Sequence, residues 1–160
     1  MKLIGFNFSK ISIEKYKEFA NSEETEPIKT NIQVTDVKKD QLEFFKNQDI
    51  FSFKYIFKIL YEPHIAELTF TGSIVLLIPE EEIVKDLEKQ WKDKLVPQEL
   101  KFTLINLILS KCNLKALQLE EDLNLPHHIP LPQISPQTQD MQDNQDMQEK
   151  PKRKKNRRQH

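Results

Sequence analysis

Few residues of this chain have the chemistry for catalysis. The 160 residues hold four histidines: His64 beside Pro63, the adjacent pair His127–His128 in a proline-rich stretch, and His160 at the end. An imidazole serves as a metal ligand or base when a carboxylate, a thiol or another imidazole stands at the right spacing. H-E-x-x-H, C-x-x-C and G-x-S-x-G are all absent. His127–His128 therefore reads as a solvent-exposed pair, and no metal site is expected. The single cysteine, Cys112, lies among leucines and reads as a small buried hydrophobe rather than a reactive thiol. Glu80–Glu82 and Glu120-Glu121-Asp122 fall where helices begin and end, so they read as helix-end solvation and not as an acid/base pair. Two glycines in the whole chain exclude a glycine-rich phosphate loop. The expectation is a protein that is not an enzyme and uses no cofactor.

What remains are residues that bind through charge or through apolar area. All three arginines lie in the last eleven residues, KPKRKKNRRQH, which carry seven Lys/Arg. Lys152, Arg153, Lys154, Lys155, Arg157 and Arg158 could neutralise phosphates of RNA or a ribosome without sequence preference. No aromatic residue is interleaved with them, so base stacking from this segment is not expected. From Gln133 onward the chain has no aromatic residue and a near-repeat of Gln-Asp-Met-Gln, a composition that cannot bury enough apolar area to fold. The expected division is a folded domain over 1–132 and a disordered tail with a basic tip over 133–160. Residues 1–132 hold 17 Lys against 21 Asp/Glu, a mildly acidic body. The opening MKLIGFNFSK is too short and polar for a signal peptide, and no stretch reaches membrane-spanning length. A soluble, cytoplasmic protein without membrane insertion is expected.

The apolar pattern defines the elements. Ile4, Phe6 and Phe8 alternate, and the alternation resumes one residue out of step at Ile11 and Ile13, which predicts a strand with a bulge. Ile28, Thr30, Ile32 and Val34 predict a second strand, with polar loops over 17–27 and 36–49; the latter carries an apolar pair, Phe44-Phe45. Ile50–Tyr61 places Phe51, Phe53, Tyr55, Phe57, Ile59 and Tyr61 on one face, and Ile65–Ile78 follows after Glu62-Pro63-His64. Four successive strands with short links predict an antiparallel meander. Its outer face is polar except for Ile56, Leu60, Ile65, Val75 and Leu77, which would form a partner surface if they cluster.

Glu80–Glu82 open a short helix with Ile83, Leu87 and Trp91 at helical spacing. Pro97–Leu125 predicts a long helix starting on Pro97, apolar most of the way round and thus covered on two sides. One side is expected to meet the sheet. A second subunit would cover the other through Leu104, Ile105, Ile108, Leu109 and Cys112. The prolines of LPHHIPLPQI then impose an extended path, with Ile129 and Leu131 docking it on the body.

This order of elements resembles the SecB-type export chaperones over roughly Lys2–Pro132. The resemblance rests on IAELTFTGSIVLLIPEEEI and on LVPQELKFTLINLILSKCNLKALQLEEDLNLP, and the closing LNLPHHIPLP resembles small archaeal SecB-like proteins of unassigned role. It implies an α+β fold in which a four-stranded antiparallel meander packs on a short and a long helix, assembled as a homodimer or homotetramer. It also implies a groove for unfolded or nascent polypeptide, bounded here by Phe19, Ile32, Val34 and the helix from Leu114 through Leu117 to Leu123. To these the residues themselves add Phe44 and Phe45, and Ile56, Leu60, Val75 and Leu77 on the outer face. The basic tip departs from the acidic or mixed tails of that family. The expected activity is that of an ATP-independent holdase serving export or targeting; the alternative is an RNA- or ribosome-associated factor.

Overall fold

The computed structural model describes residues 1–18, 27–40 and 48–133. The chain divides into two units, Met1–His128 and Ile129–His160. All helices and strands of the described residues belong to the first; residues 129–133 of the second form neither. Phe19, Phe44, Phe45 and the basic tip lie outside the described residues, as does the tail beyond Gln133.

The architecture is α+β: four antiparallel strands followed by two helices. The strands are β1 (Lys2–Lys15), β2 (Lys29–Asp40), β3 (Ile50–Tyr61) and β4 (Ala66–Leu77). Their order across the sheet is β1-β4-β3-β2, so only the last three form a meander. The expected simple meander is corrected to a Greek-key arrangement, in which the chain crosses from one edge to the other after Lys15. Three strand spacings are roughly 15 Å. The residues between Lys15 and Lys29 span that distance easily, so the link did not have to be a hairpin.

Both edge strands are bulged. The register of β1 against β4 shifts between Phe8 and Lys10, leaving Ser9 as the extra residue. Phe6, Phe8, Ile11 and Ile13 consequently pair with Ile74, Gly72, Phe70 and Leu68 and share one face, as the slipped alternation predicts. A further shift in β1, between Leu3 and Gly5, puts Leu3 opposite Leu76 on that face and takes Ile4 out of the expected row with Phe6 and Phe8. A third shift, between Val34 and Asp36, acts on β2 and brings Val37 onto the face of Ile32 and Val34. That bulge explains why 36–40 is strand where a loop was expected: the parity change hides the continuing apolar row.

The inner rows of β3 and β4, from Phe51 to Tyr61 and from Ala66 to Leu76, form the core with helix α2 (Gln98–Asp122). Helix α2 turns a single stripe inward, Leu100, Leu104, Ile108, Cys112, Ala116 and Glu120, each four residues from the last. Pro97, expected as the first helical residue, stands instead at the N-cap, one position before the first helical residue Gln98, and is itself buried. The shorter α1 (Glu81–Gln90) has Glu81 and Glu82 in its first turn, where its positive end stabilises them. Its inward residues are Val84 and Leu87, while Ile83 is half-buried.

Both glycines lie in strands, so left-handed backbone falls on His64, Lys94 and Asn124, with φ of 52°, 60° and 51°. Asn124 closes α2 in a Schellman arrangement: its N–H donates to Glu121 O (3.1 Å) and the Leu125 N–H to Glu120 O (2.8 Å). The second glycine, Gly72, is required by close approach. A Cβ there would overlap the Asn7 carbonyl oxygen and stand 2.6 Å from Tyr55 Oη. The missing side chain lets the Tyr55 ring lie across β4 and meet Phe6 with centroids 5.3 Å apart.

Candidate functional site

The inner face is not fully covered. Helix α2 shields the centre, but at the β1 edge Leu3, Phe8 and Ile11 remain 37, 38 and 39 % exposed. These side chains are fixed by an aromatic row that runs from edge to core. Phe8 lies 5.3 Å from Phe6 and 6.1 Å from Phe70, and Phe70 lies 5.8 Å from Phe57. The row is pre-formed apolar area beside a strand whose outer edge pairs with no other strand among the described residues, a combination suited to an extended segment with alternating apolar side chains. On the helix, Phe102 and Leu114 point away from the sheet at 57 and 72 % exposure. Between them outward lie Asn106 and Ser110, and beyond Leu114 lies Gln118. The all-round apolar cylinder expected from composition is thus an inward stripe, two half-buried flanks and a mixed outer line.

A second apolar recess lies between β2, β3 and α1. Val37, Phe51, Leu87 and Trp91 line it, with Lys39, Glu88 and Lys92 at its rim. Lys39 is pinned across the mouth, 2.6 Å from Asp49 and 3.4 Å from Glu88, with its ammonium 5.7 Å from the Phe51 ring centre. On the opposite face of the sheet a polar cleft is lined by Lys10, Ser12, Glu14, Tyr16, Lys58, Glu67 and Thr69. Glu67 accepts from Lys58 (3.0 Å) and Thr69 (2.9 Å), bonds that hold its carboxyl below the usual range. The groups in that cleft largely satisfy one another.

The residues expected to form one polypeptide groove fall on three different surfaces. Ile32 and Val34 lie on the inner face of β2, opposite Phe57 and Tyr55, packed against the core. Leu114 points outward from α2, and Leu117 and Leu123 are half-buried along its flanks. Ile56, Leu60, Val75 and Leu77 are on the outer face of the sheet and cannot share a groove with either set. They also do not cluster. The Lys54–Ser73 pair stands between Val75 and Ile56, and the Lys58–Thr69 pair between Ile56 and Leu60.

The expected subunit contact needs a correction as well. Leu104, Ile108 and Cys112 are 0 % exposed against this chain's own sheet, so no second copy can reach them. Only Ile105 and Leu109, half-buried on a flank, remain available.

Sequence reasoning missed the most elaborate polar feature. Glu120, 0 % exposed, occupies the last place of the inward stripe. Its Oε1 accepts from Tyr61 Oη (2.8 Å) and lies 2.6 Å from His128 Nδ1, and its Oε2 faces the His128 N–H at 3.4 Å. The other ring nitrogen of His128, Nε2, is 3.0 Å from Asn113 Oδ1. Tyr61 Oη also reaches the Pro126 carbonyl at 2.7 Å, so its one proton serves two acceptors. Burial, and then the Glu120 carboxylate, push the Tyr61 phenol well above its ordinary range. His128 is therefore no exposed partner of His127, whose own ring meets Glu121 at 3.4 Å. Two signals were present: the i+4 row of α2 runs unbroken onto Glu120, and Asn124-Leu125-Pro126 is a helix-stop pattern.

Cys112 is buried, as its leucine neighbours suggested. Burial pushes its thiol up to about 11. Beside it the Tyr55 hydroxyl is buried without a hydrogen-bond partner of ordinary geometry, and burial raises its pKa far above the usual value. Among the described residues there is no cluster of His, Cys, Asp or Glu that could hold a metal ion, and no helix is long and apolar enough to cross a membrane.

No family model matches the chain, and no curated protein is significantly similar to it. Among solved structures, the Mycobacterium tuberculosis SecB-like chaperone Rv1957, in complex with a ChAD peptide from the Rv1956 HigA1 antitoxin, is similar at a TM-score of 0.45 and 12 % identity, over 84 % of this chain and 90 % of that one. A likeness of that size leaves function to be argued from this chain's own surfaces.

Proposed function

We propose that this protein is an ATP-independent holdase that binds extended apolar segments of unfolded or nascent polypeptides in the cytoplasm. One observation carries the reading: Leu3, Phe8 and Ile11 stand exposed in a row on the inner face of edge strand β1, held there by the aromatic row beneath. Exposed apolar rows of this kind are uncommon on monomeric domains and usually meet a partner. Alternating side chains of a client would fill the spaces between them, and shape-tolerant aromatic and aliphatic contacts would accept many sequences. Phe102 and Leu114 on the outer line of α2 form the surface through which two copies would associate. A role in export or targeting would follow from holding clients unfolded.

The test compares the full chain with a 1–132 truncation in suppressing aggregation of an unfolded model protein, at low and moderate salt. Equal suppression by both, insensitive to salt, supports the holdase. Absence of suppression, together with RNA binding that weakens steeply with salt and disappears on truncation, would refute it in favour of phosphate contact by the tip.

A further inference from the structure

The inner row of β2 does not end as it begins. It runs through Ile32, Val34 and Val37, opposite Phe57, Tyr55 and Phe53, and then places Lys39 opposite Phe51. An aliphatic side chain at that last position would close the core against α1. Lys39 instead carries its ammonium to Asp49 at 2.6 Å and Glu88 at 3.4 Å. What stays open is the recess between β2, β3 and α1, with a volume of about 260 Å³.

Its walls are set by packing. Phe51 and Leu87 are buried members of the core, so neither can swing in to fill the space. Leu87 and Trp91 stand four residues apart, which brings both to one side of α1 and its closing turn. Lys94, with left-handed backbone, sets its ammonium 4.7 Å from the Trp91 ring centre. Val37 and Trp91 are half-exposed, so the recess opens to solvent. An apolar concavity with a few polar groups at its mouth is the usual form of a small-molecule site. Drug-sized ligands occupy roughly 300–1,000 Å³, so this one suits a single ring.

The rim charges choose the sign of the ligand. Asp49 neutralises Lys39. Glu88 meets the same ammonium at the longer distance and its side chain is 55 % exposed, so it can turn to water at little cost. Lys92, also at the rim, has no carboxylate partner among the described residues, and Lys94 meets an indole rather than an acid. Three ammonium groups thus face two carboxylates.

We propose that this recess binds a small carboxylate carrying one aromatic ring, with the ring against Phe51, Leu87 and Trp91 and the carboxylate between Lys39 and Lys92. Burying the ring removes apolar walls from water. The carboxylate takes charge-assisted bonds from the two lysines and replaces Glu88 at Lys39. β2 and β1 are opposite edges of the sheet, so the site is separate from the Leu3, Phe8 and Ile11 row and does not depend on the holdase reading.

Titrating the full chain with phenylpropanoate tests the site, because Trp91 is the only tryptophan and reports on its own wall. Its emission should shift to the blue and saturate, with amide NMR shifts at Val37, Phe51 and Leu87. The neutral phenylpropanamide should bind about tenfold more weakly, having lost the charged acceptor. Lys92→Gln should weaken phenylpropanoate about threefold, and Glu88→Gln should tighten it by about the same factor, as expected for exposed charges. Both positions are exposed, so both variants should fold. Absence of a saturable change at millimolar ligand overturns the site. Equal affinity for the amide overturns the carboxylate and leaves only an apolar socket. Shifts at Leu3, Phe8 and Ile11 in place of Val37, Phe51 and Leu87 overturn the location, and weaker binding in Glu88→Gln overturns the exchange at Lys39.

Discussion

Gly72→Ala should be among the most damaging single-methyl additions this chain can suffer. The added Cβ would overlap the Asn7 carbonyl oxygen and stand 2.6 Å from Tyr55 Oη and 2.9 Å from Tyr55 Cε1. A flexible side chain could swing away from such a contact, but the first obstacle is backbone. Asn7 belongs to β1 and is paired with Ser73, so relief requires moving the edge strand. Tyr55 cannot swing either, since it is 1 % exposed and wedged against Phe6. Overpacking of this severity costs about 3 kcal/mol, which lowers Tm by roughly 10 °C in a domain of this size. Thermal unfolding by circular dichroism measures it. Repeating the substitution in a Tyr55→Phe background separates the two obstacles. Removing the hydroxyl should recover less than about 1 kcal/mol, because the Asn7 oxygen remains. A Tm within about 1 °C of wild type would refute the close approach of β1 to β4. Full rescue by Tyr55→Phe would place the obstacle on the ring alone. Because the strand that moves carries Phe8 and Ile11, client binding should weaken as well.

Phe8→Asp with Ile11→Asp should abolish aggregation suppression while shifting Tm by less than about 3 °C, since both side chains are more than a third exposed; retained suppression would remove β1 from the client surface. Ile108→Asp should prevent folding, because it places a charge at a 0 % exposed position, whereas Leu114→Asp should fold normally and reduce self-association measured by sedimentation. Tyr55→Phe alone should raise Tm by a few degrees, as it deletes a buried hydroxyl without a proper partner; a fall would reveal a bond to the Cys112 thiol worth keeping. Stability should decline above about pH 9. The Cys112 thiol ionises near 9.0 when unfolded but only at about 11 in the fold. The unfolded state therefore sheds its proton first, and stability falls as pH climbs between those values. A flat pH profile from 9 to 11 in urea unfolding would contradict its burial.

Much of this fold was legible without coordinates, because period-2 and period-4 patterns record which side of an element meets the core. Strands β3 and β4 lie where their aromatic and aliphatic alternation predicts, and the bulge at Ser9 was announced by two alternating runs out of phase. Helix α2 was equally plain in extent. The order β1-β4-β3-β2 was not, since alternation says that a strand has an inner face and nothing about its neighbour. For the same reason Ile56, Leu60 and Val75 read as a potential patch until the register placed Lys54–Ser73 and Lys58–Thr69 between them. The helix illustrates the limit best. Composition makes Leu104, Ile108 and Leu114 equivalent, yet the sheet covers the first two completely and leaves Leu114 72 % exposed. Glu120 is the sharpest case. As a letter in Glu-Glu-Asp it is ordinary helix-end charge. It becomes a buried anchor because Tyr61, distant in the chain, and His128, brought back by a left-handed turn, arrive at its carboxylate together, with Asn113 holding the far side of the His128 ring. The chain's letters set how each segment folds locally and how much apolar area it offers. Which part of that area is covered, and which is left for a partner, is decided where the segments meet.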